Sequence, residues 1–374
     1  MAIAPYPRNP MKLRKLHIED YKMFKDFDIS FVDENDEPLP IVVLAGVNGS
    51  GKTTLLEFLY SNFDILHRGD KDYIEYIEFD FRQNKYILKI IGNKPSNTRG
   101  MTFAGISELE KAQKIENAKK NKTLIYFLVE VNDSRKLEKE FVKYWYNQVK
   151  FYNKRNDEIT ESLQKFIKES FEGLDLHFTY SHIDEDDNIF FQNDNNEKFK
   201  ISELSTGEQT LLSKVLYLFL KEYKNQVILI DEPELSLHPK WQNQILKIYK
   251  NFALKNECQI IIATHSPHII TNAENQYIRF LEKNNEGNVV AMNDIQAYGR
   301  DIEWVLQQMG VTDTRLPKIT KRFEEIQELI NNQEFDKADD ELDKLEYVIG
   351  DNDKDILALR NDLAFERMDF EEDN

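Results

Sequence analysis

The sequence is poor in several things, and each shortage excludes something. There is one cysteine, Cys258, in 374 residues, so no intrachain disulfide can form. Cys258 lies in the apolar run CQIIIAT, which points to a buried structural thiol and not a reactive one. Long hydrophobic runs are missing too. Stretches such as IVVLAGV and QVILI fall well short of the ~20 residues a membrane span requires. The first residues, MAIAPYPRNPMKLRK, carry no apolar core of the signal-peptide kind, so a cytoplasmic protein is expected. Positive charge is in deficit: 49 Lys and Arg face 67 Asp and Glu, a formal net charge of −18. That argues against a surface that coats nucleic acid indiscriminately. A local basic patch stays open at residues 111–122, with lysines at 111, 114, 119, 120 and 122. The run reads either as a DNA contact or as a solvated helix face.

What is present suffices for a large core, since 41% of residues are hydrophobic. At ~100–200 residues per domain, the length suggests one large domain with an appendage, or two domains. Leu13, Leu16 and Ile18, then the alternating Phe27, Ile29 and Phe31, predict two strands around the turn DYKMF. PIVVLAG (40–46) predicts a strand buried on both faces. Residues 73–91 read as paired strands, 92–105 as a loop, 106–120 as a helix and TLIYFLVEV as a strand. Residues 134–172 read as helical and aromatic-rich, and LDLHFTY with NIFFQN as a hairpin. QVILI and CQIIIAT read as buried strands, each next to a helix (STGEQTLLSKVLYLFLKEY and PKWQNQILKIYKNFA), with YIRFLEK and VVAMND as a closing hairpin. After Tyr298 the strand pattern stops. Phe323, Ile326, Leu329 and Ile330, then Phe335, Ala338, Leu342, Leu345 and Ile349, then Ile356, Leu359 and Leu363 fall at helical spacing. They predict three antiparallel helices, similar to a tetratricopeptide hairpin but with too few repeats for a solenoid. The boundary is placed near residue 297.

GVNGSGKT (46–53) fits the phosphate-loop pattern GxxxxGK[ST] and stands between a buried strand and a helix, the context the pattern requires. Its glycines turn backbone N–H groups inward as an anion nest, and the helix N-terminus adds partial positive charge. Asn48, Gly49, Ser50, Gly51, Lys52, Thr53 and Thr54 are therefore candidate contacts for nucleotide phosphates, with Thr53 as a Mg²⁺ ligand. VILIDE (227–232) ends a second buried strand in two acids. Asp231 is a candidate metal ligand, and Glu232 a candidate base for the attacking water. Adjacent acids at an apolar strand end are a liability unless a cation compensates them. In ELSTGEQTLL (203–212), Ser205 and Glu208 fit a helix capping box as well as a second anion-binding turn. IIIATHSP (260–267) ends a third buried strand at His265.

In this order, the phosphate loop, LSTGEQ, LIDEPE, LSLHP and ATHSP resemble the ABC-type ATPase family over roughly residues 12–296. DEPELSLHP and THSP look like its soluble branch, which includes RecF, SMC-type and OLD-family ATPases. The resemblance implies an α/β ABC-ATPase head: a P-loop sheet with a helical lobe and insert at about 100–200, over 1–296. It implies an all-helical appendage over 297–374 for oligomerisation or partner docking. It further implies head-to-tail dimers in which Ser205, Gly207 and Glu208 reach the γ-phosphate held by the other subunit, while His265 senses that phosphate. Ser236 and His238 would lie in the loop facing the partner subunit. Lys22 and Phe24, in YKMF, would lie near the adenine, and Gln83 is a candidate for the family's metal-binding glutamine. Thr206 stands where the family has its second glycine, a departure that could slow hydrolysis.

Roughly 150 residues separate Thr53 from Ser205, too few for SMC arms and without a heptad run. No acid cluster in the tail matches the OLD nuclease domain, so intrinsic nuclease activity is not expected. The tail, AYGRDIEWVLQQMG and FDKADDELDKLEYVIGDNDKDILALRNDLAFER, is similar to the C-terminal region of PtuA-type ATPases of Septu and retron-associated anti-phage systems. That resemblance implies a separately encoded HNH endonuclease of the PtuB type as partner. DNA, or a retron reverse transcriptase with its RNA, would be further partners. The plain alternative for the tail is a helical cap. Two functional alternatives are a RecF-like DNA-repair clamp and an ATP-bound scaffold that does not hydrolyse.

Overall fold

The computed structural model describes residues 11–64, 74–81, 84–90, 101–103, 124–127, 134–172, 174, 178–293, 295–311 and 315–372. The Gln83 candidate, the helix read at 106–120 and the lysine run 111–122 lie outside the described residues. The chain divides into two compact units, Met1–Val305 and Leu306–Asn374.

The first unit is organised by a six-stranded sheet ordered β14-β13-β3-β12-β11-β7. Its strands are β3 (Ile41–Ala45), β7 (Leu124–Phe127), β11 (Val227–Asp231), β12 (Gln259–Thr264), β13 (Ile278–Lys283) and β14 (Val289–Met292). β3, β11 and β12 are buried at every position, as continuous apolar runs covered on both faces must be. β12 pairs parallel with β3 on one side and with β11 on the other. The C-terminal ends of these three strands therefore open at one edge of the sheet, where parallel sheets bind ligands. β14 closes the far side antiparallel to β13, as the hairpin reading expected.

A second sheet, β2-β1-β4-β5-β6, comprises β1 (Met11–Tyr21), β2 (Phe24–Ser30), β4 (Ile74–Phe81), β5 (Asn84–Ile90) and β6 (Met101–Phe103). β6 was not expected, since residues 92–105 read as loop. Three residues are too few to show a period, and the open ladder of β5 is what pairs them. Two buried side chains join the sheets. Gln259 accepts from Leu13 N–H at 2.7 Å and donates to the carbonyls of Leu13 and Leu39. Arg279 donates to the carbonyls of Ser30 and Val32.

Residues 134–172, read as helical, form two helices. α2 (Ser134–Tyr152) stops at Asn153, whose φ is +53°, and α3 (Asn156–Ser170) starts after it. Asparagine tolerates that left-handed geometry better than most residues, which makes it a natural break point. The expected hairpin forms as β8 (Phe178–Ile183) and β9 (Ile189–Asn193), with β10 (Lys198–Lys200) as an unexpected third strand. α1 (Lys52–Asp64) follows the phosphate loop, α4 (Thr206–Leu220) precedes β11, α5 (Pro239–Lys255) precedes β12, and the short α6 (Pro267–Asn272) follows β12.

The boundary read near 297 falls instead between Val305 and Leu306, inside α7 (Ile302–Gln308). The loss of strand pattern at Tyr298 is not a loss of contact. Ala297 is fully buried, Gly299 N–H donates to Thr271 O, and Tyr298 N–H donates to Asn275 Oδ1.

The second unit holds α8 (Pro317–Asn331), α9 (Phe335–Ile349) and α10 (Lys354–Glu372). Its core is Ile319, Ile326, Ile330, Phe335, Ala338, Leu342, Leu345, Ile356, Leu359 and Leu363; Ile319 was not among the helically spaced residues read from the sequence, and Phe323, Leu329 and Ile349, which were, pack against this core only partly buried. No helix among the described residues is long and apolar enough to cross a membrane.

Candidate functional site

The site forms at the C-terminal ends of β3, β12 and β11. After β3 the chain turns at Gly46, whose φ is +145°. A Cβ there would lie 2.4 Å from the Leu281 carbonyl oxygen, so only glycine fits. Asn48 and Gly49 form the exposed rim of the loop, and Ser50 and Gly51 are buried beneath it. Lys52, only 6% exposed, folds its ammonium back to the carbonyls of Gly46 and Val47 at 2.8 Å each. Burial lowers its pKa, and the carboxylates of Glu232, Glu234 and Asp231 oppose that shift. Thr54 is half-buried in the first turn of α1, and the exposed Thr53 beside it bonds Asp231 with its hydroxyl.

Asp231 ends β11 at 6% exposure. Burial raises its pKa; the Thr53 bond opposes the shift and the neighbouring Glu232 adds to it. Its Oδ1 is buried without a hydrogen-bond partner. A hydroxyl beside a buried carboxylate with an orphaned oxygen fits a small hard divalent cation held by Thr53 and Asp231. Glu232 adopts φ +44°, a conformation uncommon for a non-glycine residue, while its N–H still reaches Ala263 O at 2.8 Å. Its carboxylate lies 3.2 Å from His265 Nδ1, at ion-pair distance without hydrogen-bond alignment.

The turn at Ser205 is the N-terminus of α4. Glu208 N–H donates to Ser205 Oγ, and Glu208 Oε2 accepts from both the Ser205 N–H and its hydroxyl. The capping-box geometry is thus present, with Ser205 and Thr206 exposed. Gly207 is needed within the chain as well, because a Cβ there would lie 2.8 Å from the Trp241 ring. Among the described residues, the polar contacts of Ser205 and Glu208 stay inside this turn. His238 caps α5, its Nδ1 accepting from Lys240 N–H, and Ser236 adopts φ +64°.

Lys22 is exposed at φ +51°, with its ammonium 5.2 Å from the Tyr21 ring centroid. Phe24 departs from expectation. It is fully buried, packs 4.8 Å from Phe27 and lies directly under Gly51, so its ring offers no free face to a base. It supports the phosphate loop from below.

Sequence reasoning gave no role to three residues that the geometry brings into the site. Glu234, 5% exposed, accepts three hydrogen bonds on Oε1, from Thr264 Oγ1, His265 N–H and Ser266 N–H. Lys214, from α4, donates to the carbonyls of Pro233 and Leu235. Gln242, from α5, donates to Leu237 O and accepts from Ser266 Oγ. The only signals were the unusual lysine inside the apolar run of α4 and the third acid of DEPE, Glu234.

Comparison with known proteins gives the family and the fold. The family model described as "AAA domain, putative AbiEii toxin, Type IV TA system" matches residues 77–271, more than half of the chain. The retron Ec83 probable ATPase of Escherichia coli is 28% identical over 200 residues, covering 48% of this chain and 34% of that protein. The Septu protein PtuA of Bacillus mycoides (strain KBAB4) is 22% identical over 395 residues, covering 99% of this chain and 55% of that protein. The chain thus spans between a third and about half of the length of these relatives. In fold it is similar to the SMC head domain from Thermotoga maritima, with a TM-score of 0.50 and 17% identity over 75% of this chain and 98% of that one. The fold is that of an ABC-type P-loop ATPase head.

Proposed function

Because the chain belongs to the AAA-domain family described as a putative AbiEii toxin of a type IV toxin–antitoxin system, we propose that it binds ATP with Mg²⁺ and hydrolyses it as the ATPase subunit of a bacterial anti-phage defence complex. One observation carries this reading: Lys52, the Thr53–Asp231 pair and the Glu232–His265 pair, from three neighbouring strand ends, converge on one edge of the sheet.

The loop amides and Lys52 hold the β- and γ-phosphates. Thr53 and Asp231 are the residues that would hold Mg²⁺, which supplies charge neutralisation at the phosphates. Glu232 accepts a proton from water as its oxygen attacks the γ-phosphorus. The bond to the β,γ-bridging oxygen breaks, and ADP leaves with the electron pair. His265 donates to the γ-phosphate and registers its loss.

Two copies bind head to tail, with Ser205, Gly207 and Glu208 of one facing the γ-phosphate of the other. The exposure of the Ser205 turn supports this. ATP state gates a separately encoded HNH endonuclease, which does the cutting, and the C-terminal helices dock it. The similarity to a Septu PtuA along 99% of this chain, tail included, supports this part.

The Lys52→Ala variant is expected to lose nucleotide binding. Glu232→Gln is expected to bind ATP, to accumulate the ATP-bound dimer, and to lose about 10²–10⁴-fold in hydrolysis. A wild-type rate in Glu232→Gln would remove Glu232 as the base. Tagged protein recovered from its host should carry an HNH protein at fixed stoichiometry, identified by mass. Recovery of the ATPase alone, with hydrolysis stimulated by DNA, would favour a RecF-like clamp.

A further inference from the structure

Glu234 has no part in the steps above, yet it is the most connected carboxylate of the site. One of its oxygens takes three donors from the segment Thr264–Ser266, at 2.5, 3.0 and 3.1 Å. That segment carries His265. The other oxygen, Oε2, is buried without a partner. A buried carboxylate in that state needs compensating charge, and the cations it faces are Lys52 of the phosphate loop and Lys214 of α4. Lys214 is itself buried, and its ammonium grips the two carbonyls that flank Glu234 in sequence, those of Pro233 and Leu235. A continuous set of bonds thus runs from α4, whose N-terminus is the Ser205 turn, through the turn 233–235 to the backbone of His265.

We infer that Glu234 is a positioning residue: it sets the backbone that aims His265, and Lys214 couples that setting to the helix of the Ser205 turn. The geometry stands alone, while the catalytic consequence rests on the proposed ATPase reading. Charge matters as well as shape. A charged acceptor makes hydrogen bonds roughly twice as strong as a neutral one. Glu234→Gln keeps an acceptor and loses the charge, whereas Glu234→Ala loses both. Lys214→Met removes the grip on the turn from a different element, at similar length.

The test is amide hydrogen exchange of the full chain, resolved at residues 264–266, alongside steady-state ATP hydrolysis. Glu234→Ala is expected to accelerate exchange at His265 and Ser266 by about tenfold or more, with Glu234→Gln intermediate. Lys214→Met is expected to accelerate the same amides although it touches none of them. In all three, kcat falls while KM for ATP stays within a few-fold. Unchanged exchange at 264–266 in a folded Glu234→Ala protein overturns the assignment. So does accelerated exchange with unchanged kcat, which is what a merely structural role would give. Should Glu234→Ala not fold, Glu234→Gln and Lys214→Met decide: unaltered 264–266 amides in both overturn the coupling. A wild-type protein that does not hydrolyse ATP would remove the proposed function, and the exchange data would still judge the link.

Discussion

Gly46 and Gly49 lie three residues apart in the same loop, both at positive φ, yet alanine should be tolerated very differently at each. At Gly46, φ is +145°, and a Cβ would meet the Leu281 carbonyl oxygen at 2.4 Å and Ser50 Oγ at 2.8 Å. The carbonyl cannot give way cheaply, because Leu281 belongs to β13, whose preceding residues Ile278, Arg279 and Phe280 pair with Val43, Leu44 and Ala45 of β3. Forcing an L-residue into such a dihedral costs about 1–3 kcal/mol. Overpacking against a fixed neighbour adds about 1–3 kcal/mol. At Gly49, φ is +79° and nothing lies within 4 Å of the added carbon. Only the dihedral term remains, about 1–2 kcal/mol. Urea unfolding of the two variants, followed by circular dichroism, should therefore place Gly46→Ala well below Gly49→Ala. Nucleotide binding should fail first in Gly46→Ala, because the strained turn is the one that sets Lys52. Equal losses in the two variants would refute the reasoning, since it would mean that the Leu281 contact does not govern the loop.

Lys214 gives a pH signature. Burial pushes its ammonium down to about 8 from the ordinary 10.5, against the pull of Glu234 and Glu232. Between those values the unfolded chain binds more protons than the folded one, so the lysine's contribution makes stability rise with pH from 8 to 10.5. The slope approaches about 1.4 kcal/mol per pH unit. The difference between wild type and Lys214→Met in urea unfolding at pH 8 and pH 10 isolates it, and equal pH slopes in the two proteins would contradict the burial argument. In the C-terminal unit, Leu342 is fully buried at the centre of the three-helix core, and Leu342→Ala should cost about 2–5 kcal/mol there. Amide exchange over 317–372 should accelerate while ATP binding holds; loss of ATP binding would show that the two units do not hold their folds independently.

Continuous apolar runs made β3, β11 and β12 legible, because a strand buried on both faces leaves no ambiguity of period. The same clarity placed Gly46–Thr53, Asp231 and His265 at strand ends. What stayed illegible depends on contacts distant in sequence. β6 exists because β5 has a free ladder, not because MTF has a pattern. Residues just past Tyr298 belong with the first unit, where Gly299 N–H donates back to Thr271 O. Phe24 carries the same letters whether it stacks on a base or supports Gly51; only its zero exposure separates the two. Glu234 was hidden for the same reason. Its three donors come from a segment 30 residues later, and the extra acid in DEPE does not say where they lie.

The charges at the strand ends explain why nucleotide and cation should bind as one unit. Asp231, Glu232 and Glu234 set three carboxylates against the two buried lysines 52 and 214. Two unit charges 4 Å apart interact by about 4 kcal/mol at a protein-like effective dielectric of about 20. On the proposed reading, nucleotide bound without a cation would bring phosphate charge of the wrong sign to Glu232 and to the orphaned Asp231 oxygen. On that reading, Thr53 and Asp231 would hold a divalent cation, whose charge would reverse that sign locally and compensate the orphaned oxygen. Lys214 cannot substitute for it, since its ammonium is committed to the turn carbonyls of Pro233 and Leu235. Lys52 is the only one of the two lysines that opens onto the phosphate loop. On the proposed reading, a cation would therefore bring the positive charge that phosphates need beside these carboxylates.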